Sequence, residues 1–151
     1  MSSERKLNII CWSGGKDSTA TIVLAHELGI PIDLIVISLL WFDKKRRIYA
    51  EYPEVIEWIF SYAIPLFESW GYKVKVIESD KDYMHWFYHT IERTEHEDRK
   101  SKLSGWLIGG MCAMNREKIN PIKRYLKSLG RNYQEYIGIA ADEPKRLDRE
   151  P

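Results

Sequence analysis

Two apolar runs, LNIICW (7–12) and DLIVISLLWF (33–42), bracket a stretch that ends in glycine and proline. A strand that is apolar on both faces is stable only where both faces are covered, which argues against a sheet with one wet side. The segment between them, STATIVLAHEL (18–28), has apolar residues at helical spacing. Asp17 or Ser18 stands where an N-cap belongs, and Gly29 followed by Pro31 stops the helix. Strand, helix, strand in this order predicts a parallel pair joined by a crossover helix.

The pattern repeats along the chain. Pro53 opens the helical stretch EVIEWIFSYAIPLFESWG, with a kink expected at Pro65 and a stop at Gly71. YKVKVIES (72–79) alternates apolar and charged residues, as a strand nearer the sheet's edge does. DKDYMHWFYHTIER reads as another helix, and TEHEDRKSKLSG (94–105) as a surface loop. A helix over 117–129 is broken or started at Pro121, and EYIGIA (135–140) is the last strand. The expected architecture is α/β: a Rossmann-like three-layer sandwich around a parallel sheet, with its binding crevice at the carboxyl ends of the strands. Residues 1–141 form one domain in this reading, and 142–151 a charged tail.

The net charge of +1 offers no global attraction for a polyanion, so a nucleic-acid function would need a local basic face. The two cysteines lie far apart, MSSERK at the start is polar, and IPIDLIVISLLWF is too short and interrupted to span a bilayer. These features predict a cytoplasmic chain with reduced thiols and no membrane partner.

The turn after the first strand, SGGKDS (13–18), carries the chemistry. It is not a Walker A loop, because no glycine stands five residues before Gly15, and it is not a G-x-G-x-x-G fingerprint. The logic of an anion site is nonetheless complete. Gly14 and Gly15 allow tight turning and close backbone approach, and the N–H groups of a helix N-terminus point outward from the sheet. Lys16 adds a full positive charge, and the Ser13 and Ser18 hydroxyls can donate to phosphate oxygens. Asp17 is a cap or a magnesium contact.

Ser13-Gly14-Gly15-Lys16-Asp17-Ser18 resembles the SGG-x-DS signature of the PP-loop superfamily, the ATP pyrophosphatases and adenine nucleotide α-hydrolase-like proteins. WFDKKRRIYAEYPEVIEWI, GMCAMNREKINPIKRYLK and YIGIAADEPKRL resemble segments of the phosphoadenosine phosphosulfate (PAPS) reductase-like family and fall in its order. The resemblance implies an adenine nucleotide, ATP or PAPS, with its phosphates on Ser13 to Ser18 and its adenine on backbone groups around Ser38 and Leu40. Gly138, Glu143 and Arg146 would face the same cleft, and Lys16 and Arg146 would act on the reacting phosphate. Magnesium would arrive with the nucleotide; neither zinc nor an iron–sulfur cluster is implied. Sulfate-reducing members carry a nucleophilic cysteine in a C-terminal tail, and no cysteine follows the DEPKRL motif here. A thiol-donating or sulfur-carrier partner is the implied remedy, and a homodimer stays open.

Other residues admit two readings. Cys112, with Arg116 and Lys118 nearby, is a redox or sulfur-carrying thiol or a small residue in a turn; Cys11 is core. His85 and His89 have a metal-binding i, i+4 spacing, but surrounding Trp86, Phe87 and Tyr88 favour packing or surface roles. Lys44 to Arg47 can bind phosphates or a nucleic-acid backbone, whereas the basic residues from Arg116 to Arg131 suit a solvated helix face balanced by acids. Trp58, Phe60, Tyr62, Phe67 and Trp70 have core-like helical spacing. Three functions follow: a PP-loop enzyme acting at the α-phosphate or sulfonyl side, a sulfur-transfer component of tRNA or DNA modification, or a non-catalytic nucleotide-binding module.

Overall fold

The structure, a computed structural model, describes residues 5–92, 95, 97–105 and 113–139. Four parallel strands form the central sheet: β1 (Leu7–Trp12), β2 (Leu34–Leu39), β5 (Val74–Glu78) and β6 (Tyr133–Tyr136), in the order β5-β2-β1-β6. The two most apolar strands, β1 and β2, therefore lie side by side in the middle, Ile10 opposite Ile35 and Trp12 opposite Ile37. The alternating strand β5 is at one edge, as its charged positions required.

Side chains alternate across the sheet and define three layers. Ile10, Trp12, Ile35 and Ile37 face α1 (Lys16–Glu27), α2 (Pro53–Trp58) and α3 (Ile64–Ser69), burying Ile22, Ala25, Ile59, Ala63 and Phe67. Ile9 and Val36 face the other way, onto Leu126 and its neighbours in α5 (Ala113–Ser128). Each fully buried Ile contributes about 1.5–3 kcal/mol, so this double coverage accounts for strands with no polar face. Trp12 anchors the first layer, meeting Phe67 and Trp58 edge-on at centroid distances of 5.1 and 6.0 Å.

Several local expectations are corrected. α1 starts at Lys16, with Gly15 as its N-cap and no side-chain cap, so neither Asp17 nor Ser18 is the N-cap. The run 33–42 is not one strand: β2 ends at Leu39, and β3 (Trp41–Asp43) turns away to pair antiparallel with β4 (Ile48–Tyr49). The kink at Pro65 takes the form of a π-helical turn, Ile59–Ala63, between α2 and α3, because proline supplies no N–H and crowds the carbonyl four residues back. That wider turn leaves Phe60 and Tyr62 in solvent, 41% and 60% exposed, while Ile59 and Ala63 stay in the core. The next helix, α4 (Tyr83–Tyr88), is short, and α5 runs unbroken through Pro121. The last strand lies two residues earlier than its sequence pattern suggested. Among the described residues no helix is long and apolar enough to cross a membrane.

Candidate functional site

The carboxyl end of β1 delivers the chain into Ser13-Gly14-Gly15, and α1 starts one residue later. Gly14 has φ +78°, the left-handed region that side chains disfavour, and a Cβ there would stand 3.1 Å from Ile59 Cδ1. The glycine is thus required twice, by conformation and by the contact with the end of α2. Gly15 is less constrained, its nearest potential neighbour being Ser13 Oγ at 3.3 Å.

Hydroxyl groups hold the turn. Gly15 N–H donates to Ser13 Oγ at 3.3 Å, Ser13 Oγ lies 2.9 Å from Ser18 Oγ, and Ser18 Oγ donates to the Gly15 carbonyl at 3.1 Å. The same carbonyl accepts from Thr19 N–H at 3.0 Å and Thr19 Oγ1 at 2.8 Å, and Thr19 Oγ1 in turn accepts from Trp12 Nε1 at 2.9 Å. Three donors converge on an oxygen with two lone pairs. The first intrahelical bond is Thr19 N–H to Gly15, so the N–H groups of the first turn lie ahead of the ladder, at the positive end of the helix dipole. Lys16 projects into solvent, its side chain 86% exposed, and its ammonium meets the Asp17 carboxylate at 2.8 Å.

The residues expected around this loop divide into three groups. Gly138 is brought to it: a Cβ there would meet the Asp17 carbonyl oxygen at 2.7 Å and Thr21 Oγ1 at 2.8 Å, so the chain leaving β6 presses on the first turn of α1. Ser38, near the end of β2, and Leu40, just beyond it, lie on the same edge of the sheet, but two backbone carbonyls expected to serve adenine are engaged. Leu39 C=O accepts from Ser79 N–H at 3.1 Å and Leu40 C=O from Ala50 N–H at 2.8 Å, while Trp41 N–H donates to Ser79 Oγ at 3.2 Å. The Ser38 hydroxyl is buried without a hydrogen-bond partner among the described residues. Cys112, Glu143 and Arg146 lie outside the described residues.

The remaining candidates have mostly structural surroundings. Cys11 packs against the α5 side of the sheet; burial pushes its thiol well above the ordinary range, and the Glu135 carboxylate adds to that, so it stays protonated. Lys118, expected to influence Cys112, reaches Glu51 at 3.5 Å, and Arg124 reaches Asp80 at 2.5 Å. Lys44 is pinned at the end of β5: its N–H donates to Asp82 and its ammonium to the Ser79 carbonyl. His85 and His89 stack with centroids 6.0 Å apart, His89 already beyond the end of α4. Among the described residues no three His, Cys, Asp or Glu side chains converge on a cation site.

A feature not anticipated from the sequence lies between the β3–β4 hairpin and α2. The β3–β4 hairpin and the start of α2 enclose a cleft of about 430 Å³ lined by Phe42, Tyr49, Glu51, Tyr52 and Tyr83. The signal for it was present as the aromatic density of WFDKKRRIYAEYPE, which a reading for strands passes over. Comparison of the chain with protein-family models, curated proteins and solved structures found no match.

Proposed function

We propose that this chain is an adenine-nucleotide-binding enzyme of the PP-loop class, closest to the PAPS reductase-like family, acting on ATP or a sulfonucleotide at the α-phosphate or sulfonyl side. On this reading the three-layer α/β fold is of the adenine nucleotide α-hydrolase-like type. The observation that carries the reading is the turn from β1 into α1. A left-handed Gly14, the hydroxyls of Ser13 and Ser18, and the N-terminus of α1 with Lys16 in its first turn lie together at the carboxyl edge of a parallel sheet.

With ATP, an acceptor oxygen attacks the α-phosphorus. The new O–P bond forms as the α–β bridging P–O bond breaks, and its electron pair leaves with pyrophosphate. The chain's own contribution is positioning and charge stabilisation: first-turn N–H groups and Ser13 or Ser18 hydroxyls hold phosphate oxygens, and Lys16 offsets the charge that develops on them. Magnesium would neutralise phosphate charge when bound with the nucleotide, and Asp17 is the loop carboxylate available to touch it. Arg146, from the family motif, is proposed for the same cleft.

Calorimetric titration with ATP and with PAPS, each with magnesium, tests this. Binding of one of them that Lys16→Ala weakens by ten-fold or more supports the reading. Pyrophosphate release with ATP then distinguishes an adenylating enzyme from a binding module. Absence of binding by both nucleotides overturns it.

A further inference from the structure

The aromatic cleft between the β3–β4 hairpin and α2 has the makings of a second binding site. One wall carries Phe42 and Tyr83, tilted against each other at a centroid distance of 6.0 Å. The other carries Tyr49 and Tyr52. Tyr49 is held rigid: one ring face stacks on Trp41 at 4.0 Å and 14°, and its hydroxyl donates to Glu78 at 2.9 Å. Tyr52 is 77% exposed and stands at the N-cap of α2 with nothing that its packing explains. Glu51 supplies a carboxylate whose charge Lys118 balances at 3.5 Å, so it suits a neutral N–H donor better than a full cation.

The hairpin's tip adds the opposite charge. Arg47 is held at φ +60°, a strained conformation for arginine, and its side chain lines a second cleft that shares Tyr49, Glu51 and Pro53 with the first. Lys45 beside it is exposed, and Arg46 turns back to Asp43 at 3.6 Å. Aromatic faces that accept a flat ring, a carboxylate for an amino group and cations one step away form the combination that grips one nucleotide unit. The volume of about 430 Å³ falls within the range of small-molecule sites, roughly 300–1,000 Å³.

The cleft is also coupled to the loop by one helix. Ile56 lines the second cleft, and Ile59, one turn on, is the residue that Gly14 packs against. We infer that the cleft between the β3–β4 hairpin and α2 is a second nucleotide-unit subsite, its base between Tyr52 and Phe42–Tyr83 and its phosphate against Arg47. The unit comes from a free nucleotide or from a single strand of nucleic acid. Only its place as the acceptor rests on the function proposed above; binding at the cleft does not.

The test is a pair of titrations of the full chain, one with AMP by calorimetry and one with a labelled single-stranded DNA decamer by fluorescence anisotropy. Each is repeated on Tyr52→Ala, Tyr52→Phe and Lys16→Ala. Base stacking on an aromatic ring predicts roughly five- to hundred-fold weaker cleft binding in Tyr52→Ala, with that binding retained in Tyr52→Phe and still present once Lys16→Ala has weakened binding at the loop. Comparable affinity for AMP and the decamer assigns a free nucleotide; binding of the decamer alone, falling steeply with salt, assigns a strand. Binding lost in Lys16→Ala but unchanged in Tyr52→Ala belongs to the loop and overturns the subsite. So does the absence of any binding, a result that leaves the ATP and PAPS titrations free to succeed.

Discussion

Gly138 and Asp17 are in backbone contact: a Cβ on Gly138 would lie 2.7 Å from the Asp17 carbonyl oxygen. The chain leaving the edge strand β6 is thereby laid across the first turn of α1, which the sequence separates from it by 120 residues. A methyl is resisted there, since the two nearest obstructing atoms, the Asp17 carbonyl carbon and oxygen, are backbone and cannot rotate away, and only the third, Thr21 Oγ1, belongs to a side chain. Gly138→Ala is expected to cost about 1–3 kcal/mol, the range for inserting a methyl into a packed contact, and to weaken phosphate binding at the same turn. Urea unfolding of the variant measures the first, and a midpoint equal to wild type would show that the contact yields freely.

The two loop glycines differ in kind. Gly14 combines φ +78° with Ile59 at 3.1 Å, whereas Gly15 has an extended backbone and only a side-chain oxygen at 3.3 Å. Gly14→Ala is expected to lose about 1–2 kcal/mol, the left-handed penalty, with any crowding of Ile59 added to it. Gly15→Ala should lose less than about 1 kcal/mol, because the serine hydroxyl can shift. Parallel denaturant curves check the order; equal losses would mean that conformation at Gly14 is not the cost.

These contacts mark the boundary of what the sequence could disclose. β1, β2 and the loop were legible because burial on both faces leaves an unbroken apolar run, and Gly29 and Gly71 were legible as stops because both take positive φ. The break at Leu40 was not, since apolarity says that a residue is buried but not which strand it pairs with. The outward turn of Phe60 and Tyr62 was hidden for a related reason. A π-helical turn shifts the helical phase, so a fixed spacing assigns the wrong face. Pro121 misled in the opposite direction: its side chain is buried, and packing outweighs the one hydrogen bond it denies α5. The loop's chemistry was readable from residue types, whereas the meeting of Gly138 with Asp17 and the walls of the aromatic cleft are products of tertiary structure.

Lys16 separates stability from function. Its ammonium is exposed and pairs with an adjacent, half-exposed carboxylate, an arrangement that contributes about 0–1 kcal/mol. Lys16→Ala should leave thermal unfolding within a few degrees of wild type while reducing nucleotide affinity about ten-fold or more, the value of a charge-assisted hydrogen bond. Loss of both together would reveal a structural lysine and remove it from the proposed site.

Tyr49 provides an alkaline signature of the hairpin. Burial, with the hydrogen bond to the Glu78 carboxylate and its charge, pushes the phenol up to about 12. An unfolded tyrosine ionises near 10, so the folded state holds this proton more tightly. The resulting stability is fully present below about pH 10 and is lost as the pH rises from about 10 to about 12. Absorbance titration should show a late-ionising phenol that disappears in Tyr49→Phe, and that variant's stability should fall less over this window. An unchanged late component would assign it to another tyrosine.

Ser38 offers the sharpest contrast between folding and function. It is 1% exposed at the carboxyl end of β2, and its hydroxyl has no hydrogen-bond partner among the described residues. A buried hydroxyl without a partner costs about 1–3 kcal/mol, and alanine removes that cost with little change in volume. Ser38→Ala is therefore expected to raise the stability of the nucleotide-free chain by about 1 kcal/mol. If the hydroxyl serves the bound nucleotide, the same variant binds ATP or PAPS several-fold more weakly, so one substitution moves the two measurements in opposite directions. A gain in stability with unchanged affinity would make Ser38 a packing imperfection and strike it from the binding site. A loss of stability would mean that the hydroxyl is already bonded in solution.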